Sequence, residues 1–146
     1  MTIRRAAHFV PGANQKMLDK SLATEADALI LDLEDAVTPE HKDSARTTVA
    51  QWLEQVDFGR QEKVVRVNPI GSPWFQRDIE ETMIHPPDSY LIPKVNNANE
   101  ISQIAELIRA VSYTHLRAHE TAAARVCRLL LEKKKGGGGG GGGGGG

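Results

Sequence analysis

The sequence predicts an α/β protein built from repeated strand–helix units. Between residues 7 and 110, short apolar runs rich in β-branched residues alternate four times with segments of helical period. The second run, residues 28–33, is almost continuously apolar, as in a parallel strand that is covered on both faces. Polar or turn-forming residues follow each run. These observations predict a (β/α)8, or TIM, barrel truncated to about four β-α units.

Each predicted element has a local signal of its own. The predicted strands cover residues 7–10, 28–33, 63–67 and 90–95. The helices that follow them begin at N-cap signals, which are Asn14, Thr38 before Pro39, Ser72 before Pro73, and Asn97 with Glu100 three residues later. The clearest amphipathic helix carries its apolar residues at Ala45, Val49, Trp52, Leu53 and Val56. The first helix is expected to bury Met17, Leu18 and Leu22 on one face.

A doubly wound open sheet is the alternative arrangement of such units. Nucleotide-binding sheets of that type carry a glycine-rich loop after the first strand, and Pro11-Gly12-Ala13-Asn14 lacks the required glycine spacing. A barrel instead collects functional side chains at the carboxyl ends of its strands. Here those ends carry Pro11-Gly12, Glu34-Asp35, Arg66 to Asn68, and Lys94. The barrel is therefore favoured, and a flavodoxin-like binding module is disfavoured.

Composition and charge exclude several classes of partner. The chain has 18 basic and 19 acidic residues and a net charge of −1, which gives no electrostatic footprint for nucleic acid or an anionic membrane surface. No apolar run approaches the roughly 18 residues that a membrane span requires, and the N-terminus lacks a signal-peptide pattern. The single cysteine, Cys127, cannot form an internal disulfide. We therefore expect a cytoplasmic protein that acts on a small molecule.

Residues 112–146 break the β-α pattern. No strand is predicted where a fifth should occur, and Leu129-Leu130-Leu131 is the only strong apolar run. Lys133-Lys134-Lys135 precedes eleven consecutive glycines, and the segment resembles translated sequencing-adaptor read-through. We expect residues 112–146 to be a disordered foreign tail of artefactual origin, with a flexible linker or tag as the alternative. Residues 1–111 then form the N-terminal half of the barrel.

Glu34 and Asp35 close the second predicted strand, and Asp32 lies inside it on the same face as Glu34. Buried carboxylates at such a place require a cation nearby. One interpretation is structural, with the acids capping the next helix or pairing with Arg66. The other is a magnesium or magnesium-water site, because Mg²⁺ prefers hard oxygen ligands. The pattern leaves both interpretations open.

Arg66 alternates with apolar residues in the third predicted strand, so its guanidinium should point inward near the strand end. A planar five-donor guanidinium can hold a substrate carboxylate bidentately. A structural ion pair with Asp32 or Glu34 is equally consistent with the spacing. Lys94 presents the same two alternatives, and the structural one is favoured.

Four motifs then fall in the order and spacing of one enzyme family. They are His8-Phe9-Val10-Pro11-Gly12; Leu31-Asp32-Leu33-Glu34-Asp35-Ala36-Val37 with Pro39 and Lys42; Val65-Arg66-Val67-Asn68-Pro69 with Ser72-Pro73-Trp74; and Leu91-Ile92-Pro93-Lys94-Val95. Over residues 3–110 the chain resembles the citrate lyase β-subunit and malyl-CoA lyase family. The resemblance implies a Mg²⁺-dependent, usually homo-oligomeric TIM-barrel lyase. It implies cleavage of a 3-hydroxyacyl-CoA thioester, of the citryl-, malyl- or citramalyl-CoA type, to a keto acid and an acyl-CoA.

The same resemblance assigns roles to individual residues. It implies that Arg66 holds the keto acid and stabilises developing charge, while Glu34 and Asp35 support a metal-bound water without ligating the metal directly. Phe9 and Lys20 would line the substrate site. The family's direct metal ligands come from later strands, so the chain as given is expected to be an inactive fragment. A barrel aldolase that acts on a free keto acid without coenzyme A is the alternative.

Overall fold

The computed structural model describes residues 3–116 and 128–131. Five strands form one sheet in chain order: β1 (Ala7–Pro11), β2 (Ala28–Asp32), β3 (Glu62–Arg66), β4 (Ser89–Ile92) and β5 (Arg128–Leu131). The helices are α1 (Gln15–Leu22), α2 (Lys42–Gln55), α3 (Phe75–Thr82) and α4 (Ala98–Leu116). All neighbouring strands are parallel, and their order never reverses as it does in a doubly wound sheet. The predicted α/β fold with barrel-type winding is confirmed.

One face of the sheet packs against the helices and forms the main core. Alternate strand residues point into it, and Val10, Leu31, Val65 and Tyr90 are all fully buried there. The predicted apolar stripe of α2 is confirmed, with Ala45, Val49, Trp52 and Leu53 buried and Val56 packed against the core. Within the described ranges, no helix combines the length and the apolar character needed to cross a lipid bilayer. The helix layer thus fixes which strand residues remain available on the opposite face.

The opposite face has an apolar centre between two charged ends. Ala28, Ile30 and Val64 are buried in its centre. At the amino ends of the strands, the Glu62 carboxylate accepts hydrogen bonds from the Arg4 guanidinium and the Ser89 hydroxyl. At the carboxyl ends, the in-register row Pro11, Asp32, Arg66 and Leu91 brings a carboxylate beside a guanidinium. The polar side chains at the amino ends therefore bond to one another, while those at the carboxyl ends lie next to the loops that follow the strands.

Two of the four predicted helix starts are confirmed. The Asn14 side chain accepts a hydrogen bond from Met17 N at 3.1 Å, and the Asn97 side chain accepts one from Glu100 N at 2.9 Å. The prediction at Thr38 holds in part, because Thr38 is the N-cap and Pro39 the first residue of a 3-10 turn, Pro39–His41, and α2 follows this turn directly. The prediction at Ser72 is wrong, because Ser72 N closes a turn onto the Pro69 carbonyl and α3 begins three residues later.

Three further predictions need correction. Met17 is 40% exposed rather than buried, since only Leu18 and Leu22 of the predicted stripe face the sheet. The expectation that residues 112–146 contain no strand is wrong at β5, which pairs with β4 over four positions. The reason is that the backbone of residues 128–131 pairs with backbone groups of β4 that would otherwise be unpaired at the edge of the sheet. The helix α4 also continues five residues beyond the predicted boundary at 111. The disorder predicted for 117–127 and 132–146 lies outside the described residues.

Gly12 is the point where the end of β1 meets the end of β2. Its N–H donates to the Asp32 carbonyl at 2.8 Å, and an added Cβ would lie 2.9 Å from that oxygen and 3.2 Å from Ala45 Cβ. Backbone atoms cannot move aside as a flexible side chain can. We therefore expect Gly12→Ala to lower the free energy of unfolding by about 1–3 kcal/mol, measured by urea denaturation of the 146-residue chain. Gln51→Ala on the exposed side of α2 is the control and should change it by less than about 0.5 kcal/mol; equal losses would contradict the steric argument.

Candidate active site

Arg66 and Asp32 form a buried bidentate ion pair at the carboxyl ends of β3 and β2. The Arg66 Nε donates to Asp32 Oδ1 at 2.9 Å, and Nη2 donates to Oδ2 at 2.7 Å. Asp32 also accepts hydrogen bonds from the backbone N–H groups of Glu34 and Ala36. Mutual neutralisation and these hydrogen bonds offset the cost of burying both charges. The structural interpretation of Arg66, an ion pair with Asp32, is confirmed. The pair fixes the guanidinium at the carboxyl ends of the strands, which we call the rim.

Glu34 lies between two cations. Its side chain is 4% exposed, with Oε2 3.4 Å from Arg66 Nη1 and Oε1 2.9 Å from Lys94 Nζ. The contact with Lys94 is therefore shorter than the contact with Arg66. Strand alternation had placed Glu34 on the same face as Asp32, and the structure confirms that placement. The carboxyl ends of β2, β3 and β4 thus converge on one carboxylate.

Asp35 is far more exposed than Glu34. Its side chain is 71% exposed, and its Oδ1 lies 4.0 Å from Lys94 Nζ. The short ion-pair contact with Glu34, followed by the weaker attraction of Asp35, raises the pKa of Lys94 above its usual value. Lys94 thus contacts both acids of the doublet. The two acids lie in the turn that follows β2, where Val37 N donates to the Glu34 carbonyl at 3.1 Å, and they differ mainly in burial.

The two predicted substrate-lining residues differ in their relation to Arg66. The Phe9 ring centroid lies 4.8 Å from Arg66 Cζ, so the ring covers one face of the guanidinium in a cation–π contact. Phe9 is 47% exposed and therefore remains available to a ligand. Lys20 is exposed in the last turn of α1, about 9 Å along the helix axis from Asn14 at its start. We call Arg66, Asp32, Glu34 and Lys94 the Arg66 cluster. Phe9 contacts this cluster, and Lys20 lies outside it.

Lys42 anchors the end of β2 to the start of α2. Its side chain is buried, and Nζ donates to the carbonyls of Leu33 at 2.9 Å and Glu34 at 2.6 Å. Nζ also lies 5.4 Å from the Trp74 ring centroid. Burial lowers the pKa of Lys42, against the opposing attraction of nearby carboxylates such as Asp78. Lys42 was recognised only as part of a motif, because no local spacing indicates a bond from a helix lysine back to a strand carbonyl.

Asp78 is the centre of a buried polar network that joins α2, α3 and the residues after β3. Its Oδ1 accepts from Arg46 Nε at 2.8 Å, while Oδ2 accepts from Asn68 N at 2.9 Å and from Asn68 Nδ2 at 2.6 Å. Burial acts to lower the pKa of Arg46, but hydrogen bonds to Asp78 and Asp43 outweigh it and the pKa is raised. This network fixes the loop that follows β3. Sequence reasoning missed it, although Asp78 lies three residues after Phe75 on the buried stripe of α3.

The acids at the rim suit hydrogen bonding to water better than direct ligation of a metal. Across residues 3–116 and 128–131, no three His, Cys, Asp or Glu side chains cluster closely enough to form a ligand set. Glu34 and Asp35 present hard oxygen acceptors of the kind that Mg²⁺ and its waters prefer. Glu34 Oε1 and Asp35 Oδ1 also both lie within 4.0 Å of one ammonium group. Their oxygens are of the type that accepts hydrogen bonds from the waters of a hydrated magnesium ion.

Residues 5–130 match the family model described as HpcH/HpaI aldolase/citrate lyase. The chain belongs to the HpcH/HpaI aldolase/citrate lyase family. Among relatives of this family member, the (3S)-malyl-CoA thioesterase of Cereibacter sphaeroides (strain ATCC 17025) is 38% identical over 104 residues, which are 71% of this chain and 36% of that protein. Human mitochondrial citramalyl-CoA lyase is 37% identical over 106 residues, covering 70% of this chain and 31% of that enzyme. The chain thus spans about a third of the length of these relatives, and the predicted family resemblance is confirmed.

Solved structures support the same family fold. Protein CitE of Mycobacterium tuberculosis, in complex with magnesium and acetate, is 30% identical with a TM-score of 0.58, covering 68% of this chain and 40% of that one. A citrate lyase of Burkholderia xenovorans gives a TM-score of 0.70 at 19% identity, covering 90% of this chain and 41% of that one. The second likeness shows the fold alone. This family chain therefore shares its strand–helix arrangement with lyase structures.

Proposed function

We propose that this chain supplies the keto-acid-binding part of a magnesium-dependent lyase site that cleaves a 3-hydroxyacyl-CoA thioester. The observation that carries the proposal is the Arg66 guanidinium, which Asp32 and Phe9 hold in a fixed orientation at the carboxyl rim of the sheet. A fixed guanidinium loses little conformational freedom when it binds a carboxylate. The names of the relatives, a malyl-CoA thioesterase and a citramalyl-CoA lyase, support a coenzyme A ester as the substrate class.

The proposed reaction breaks the bond between the hydroxyl-bearing carbon and the adjacent CH₂ of the acyl thioester. The hydroxyl gives its proton to a base and becomes the carbonyl of the keto acid, while the electron pair of the broken bond remains on the acyl-CoA as an enolate, which then takes a proton from the protonated base or from water. Arg66 would hold the substrate carboxylate and stabilise negative charge on the oxygen as the bond breaks. Magnesium, when bound, supplies Lewis-acid polarisation. Glu34 and Asp35 would accept hydrogen bonds from its water, and these rim residues are the proposed catalytic group.

Phe9 and Lys20 are proposed to contact different parts of the substrate. Phe9 shields one face of the guanidinium and thereby excludes water from the bound keto acid. Lys20 presents an exposed ammonium about 9 Å from the start of α1, where it suits a distant anionic part of an extended substrate. We propose a homo-oligomeric, cytoplasmic parent protein, in keeping with the family resemblance.

The 146-residue chain itself is proposed to be inactive, because its described residues provide no complete metal-ligand set. Residues 112–146 remain proposed as a foreign tail, on the basis of the lysine run and the eleven-glycine end. The match of the family model up to residue 130 counts against the N-terminal part of that assignment. Resequencing the source DNA across the codon for Val111 tests it, and a reproducible junction would exclude an artefact.

A full-length chimera tests the proposed activity. Residues 3–111 would replace the aligned segment of human citramalyl-CoA lyase, to which this chain is 37% identical over 106 residues. Release of acyl-CoA from citramalyl-CoA, in the presence of Mg²⁺ and again with excess EDTA, is the measurement. A free hydroxy-keto acid without coenzyme A is assayed in parallel, since cleavage of that compound alone would favour the aldolase alternative. A chimera that unfolds cooperatively but cleaves neither compound, beside an active human enzyme, would contradict the proposal.

A further inference from the structure

Lys94 adopts a backbone conformation that L-residues rarely occupy. Its φ is +56°, a left-handed value more usual for glycine or asparagine, and it follows the end of β4 at the rim. Such conformations cost free energy and persist where the surrounding structure fixes them, often at functional sites. The Lys94 side chain is 59% exposed, yet its ammonium contacts Glu34 at 2.9 Å. The ammonium therefore lies closest to Glu34, with the Asp35 carboxylate 4.0 Å away.

Of the two carboxylates that contact Arg66, Glu34 has the longer and weaker contact. Asp32 is 1% exposed and bound bidentately, with contacts of 2.7 and 2.9 Å to the guanidinium. Glu34 has a longer contact of 3.4 Å to Arg66 Nη1. Its backbone carbonyl is held by Lys42, so a movement would involve the side chain alone. An anion that approaches Nη1 must compete with Glu34 rather than with Asp32.

We propose that Lys94 is a positioning residue that holds the Glu34 carboxylate away from Arg66 when a keto acid binds. This inference rests on the proposed function and extends it. Without the ammonium, Glu34 closes onto the guanidinium in a charge-assisted contact and acts as an internal competitor of the substrate carboxylate. Asp35, 4.0 Å from Nζ on the exposed side, keeps the ammonium at the rim. Lys94 thus acts on the substrate through Glu34.

The test uses the complete 146-residue chain with pyruvate, a small keto acid, as the titrated ligand, and binding is followed by ligand-observed NMR. Lys94→Asn removes the charge while retaining a residue that tolerates positive φ, and Lys94→Arg retains the charge. We expect Lys94→Asn to raise the Kd about tenfold, the scale of one hydrogen bond to a charged group, and Lys94→Arg to change it less than about threefold. Urea denaturation of each variant verifies that it is folded.

A double-mutant cycle distinguishes positioning from direct contact. In a Glu34→Gln background, Lys94→Asn should leave the Kd unchanged, because the competing carboxylate is already absent. A further loss of affinity there would show that Lys94 contacts the anion itself and would overturn the positioning role. An unchanged Kd for Lys94→Asn alone would overturn the inference and leave the proposed function standing. Absence of pyruvate binding to the folded unsubstituted chain would overturn both the keto-acid site and the inference.

Discussion

Arg66→Lys in the full-length chimera is expected to lower kcat/KM for thioester cleavage by about 100-fold. The guanidinium uses Nε and Nη2 on Asp32 and directs Nη1 toward Glu34 at the rim, so one planar group serves both the anchor and the proposed anion. A lysine ammonium keeps the charge but cannot donate from two fixed edges at once. The measurement is the initial rate of acyl-CoA release over a range of substrate concentrations.

Arg60→Lys provides the matched control for the arginine substitution. Arg60 is exposed in the segment before β3, away from the carboxyl rim, and the same chemical change there should leave kcat/KM unaltered. The thermal unfolding midpoint of the Arg66→Lys chimera should move only slightly, because the lysine still neutralises Asp32. Unaltered turnover in this folded variant would refute the assigned role of Arg66.

Asp78→Ala is expected to lower the free energy of unfolding of the 146-residue chain by about 3–5 kcal/mol. The substitution leaves the Arg46 guanidinium, with a side chain 1% exposed, without its buried counter-ion. It also removes the acceptor for both N–H donors of Asn68. A domain is stable by only about 5–15 kcal/mol, so the loss should be evident in the midpoint of urea unfolding.

The neighbouring acid Asp43 separates the effect of burial from the effect of charge. It also contacts Arg46 at 2.8 Å, but its side chain is 75% exposed, and Asp43→Ala should cost no more than about 1 kcal/mol. If Asp78→Ala prevents folding, Asp78→Asn retains the side-chain shape and should give an intermediate loss. Replacing the pair with apolar residues, as in Arg46→Met with Asp78→Leu, should recover part of the stability. Equal losses for the two aspartates would contradict the burial argument.

The sequence allowed prediction of those features that depend on local periodicity. The apolar stripe of α2 follows a helical spacing, and its predicted residues lie in or against the core. Alternation along the strand predicted that Asp32 and Glu34 share a face and that a cation lies near them. The family motifs rest on the same local segments. Sequence therefore identified the rim and the residues on it.

Features that depend on distant contacts could not be predicted in this way. The bonds from Lys42 to strand carbonyls and from Asp78 to Arg46 join different elements, and spacing within one element does not reveal them. The strand β5 forms by pairing with the edge of β4. The local sequence of residues 112–146 did not predict this pairing. The positive φ of Lys94 likewise reflects its surroundings, because the residue type disfavours it.

The opposed positions of Asp32 and Arg66 also determine how β2 and β3 can align during folding. If β3 were shifted by one residue, the Arg66 side chain would turn toward the apolar helix layer. The buried Asp32 carboxylate would then lose its partner. Each such misaligned state leaves two charges without partners, at a cost of about several kcal/mol per ion. The pair therefore specifies the register of β2 and β3, because it destabilises misaligned registers more than it stabilises the native one.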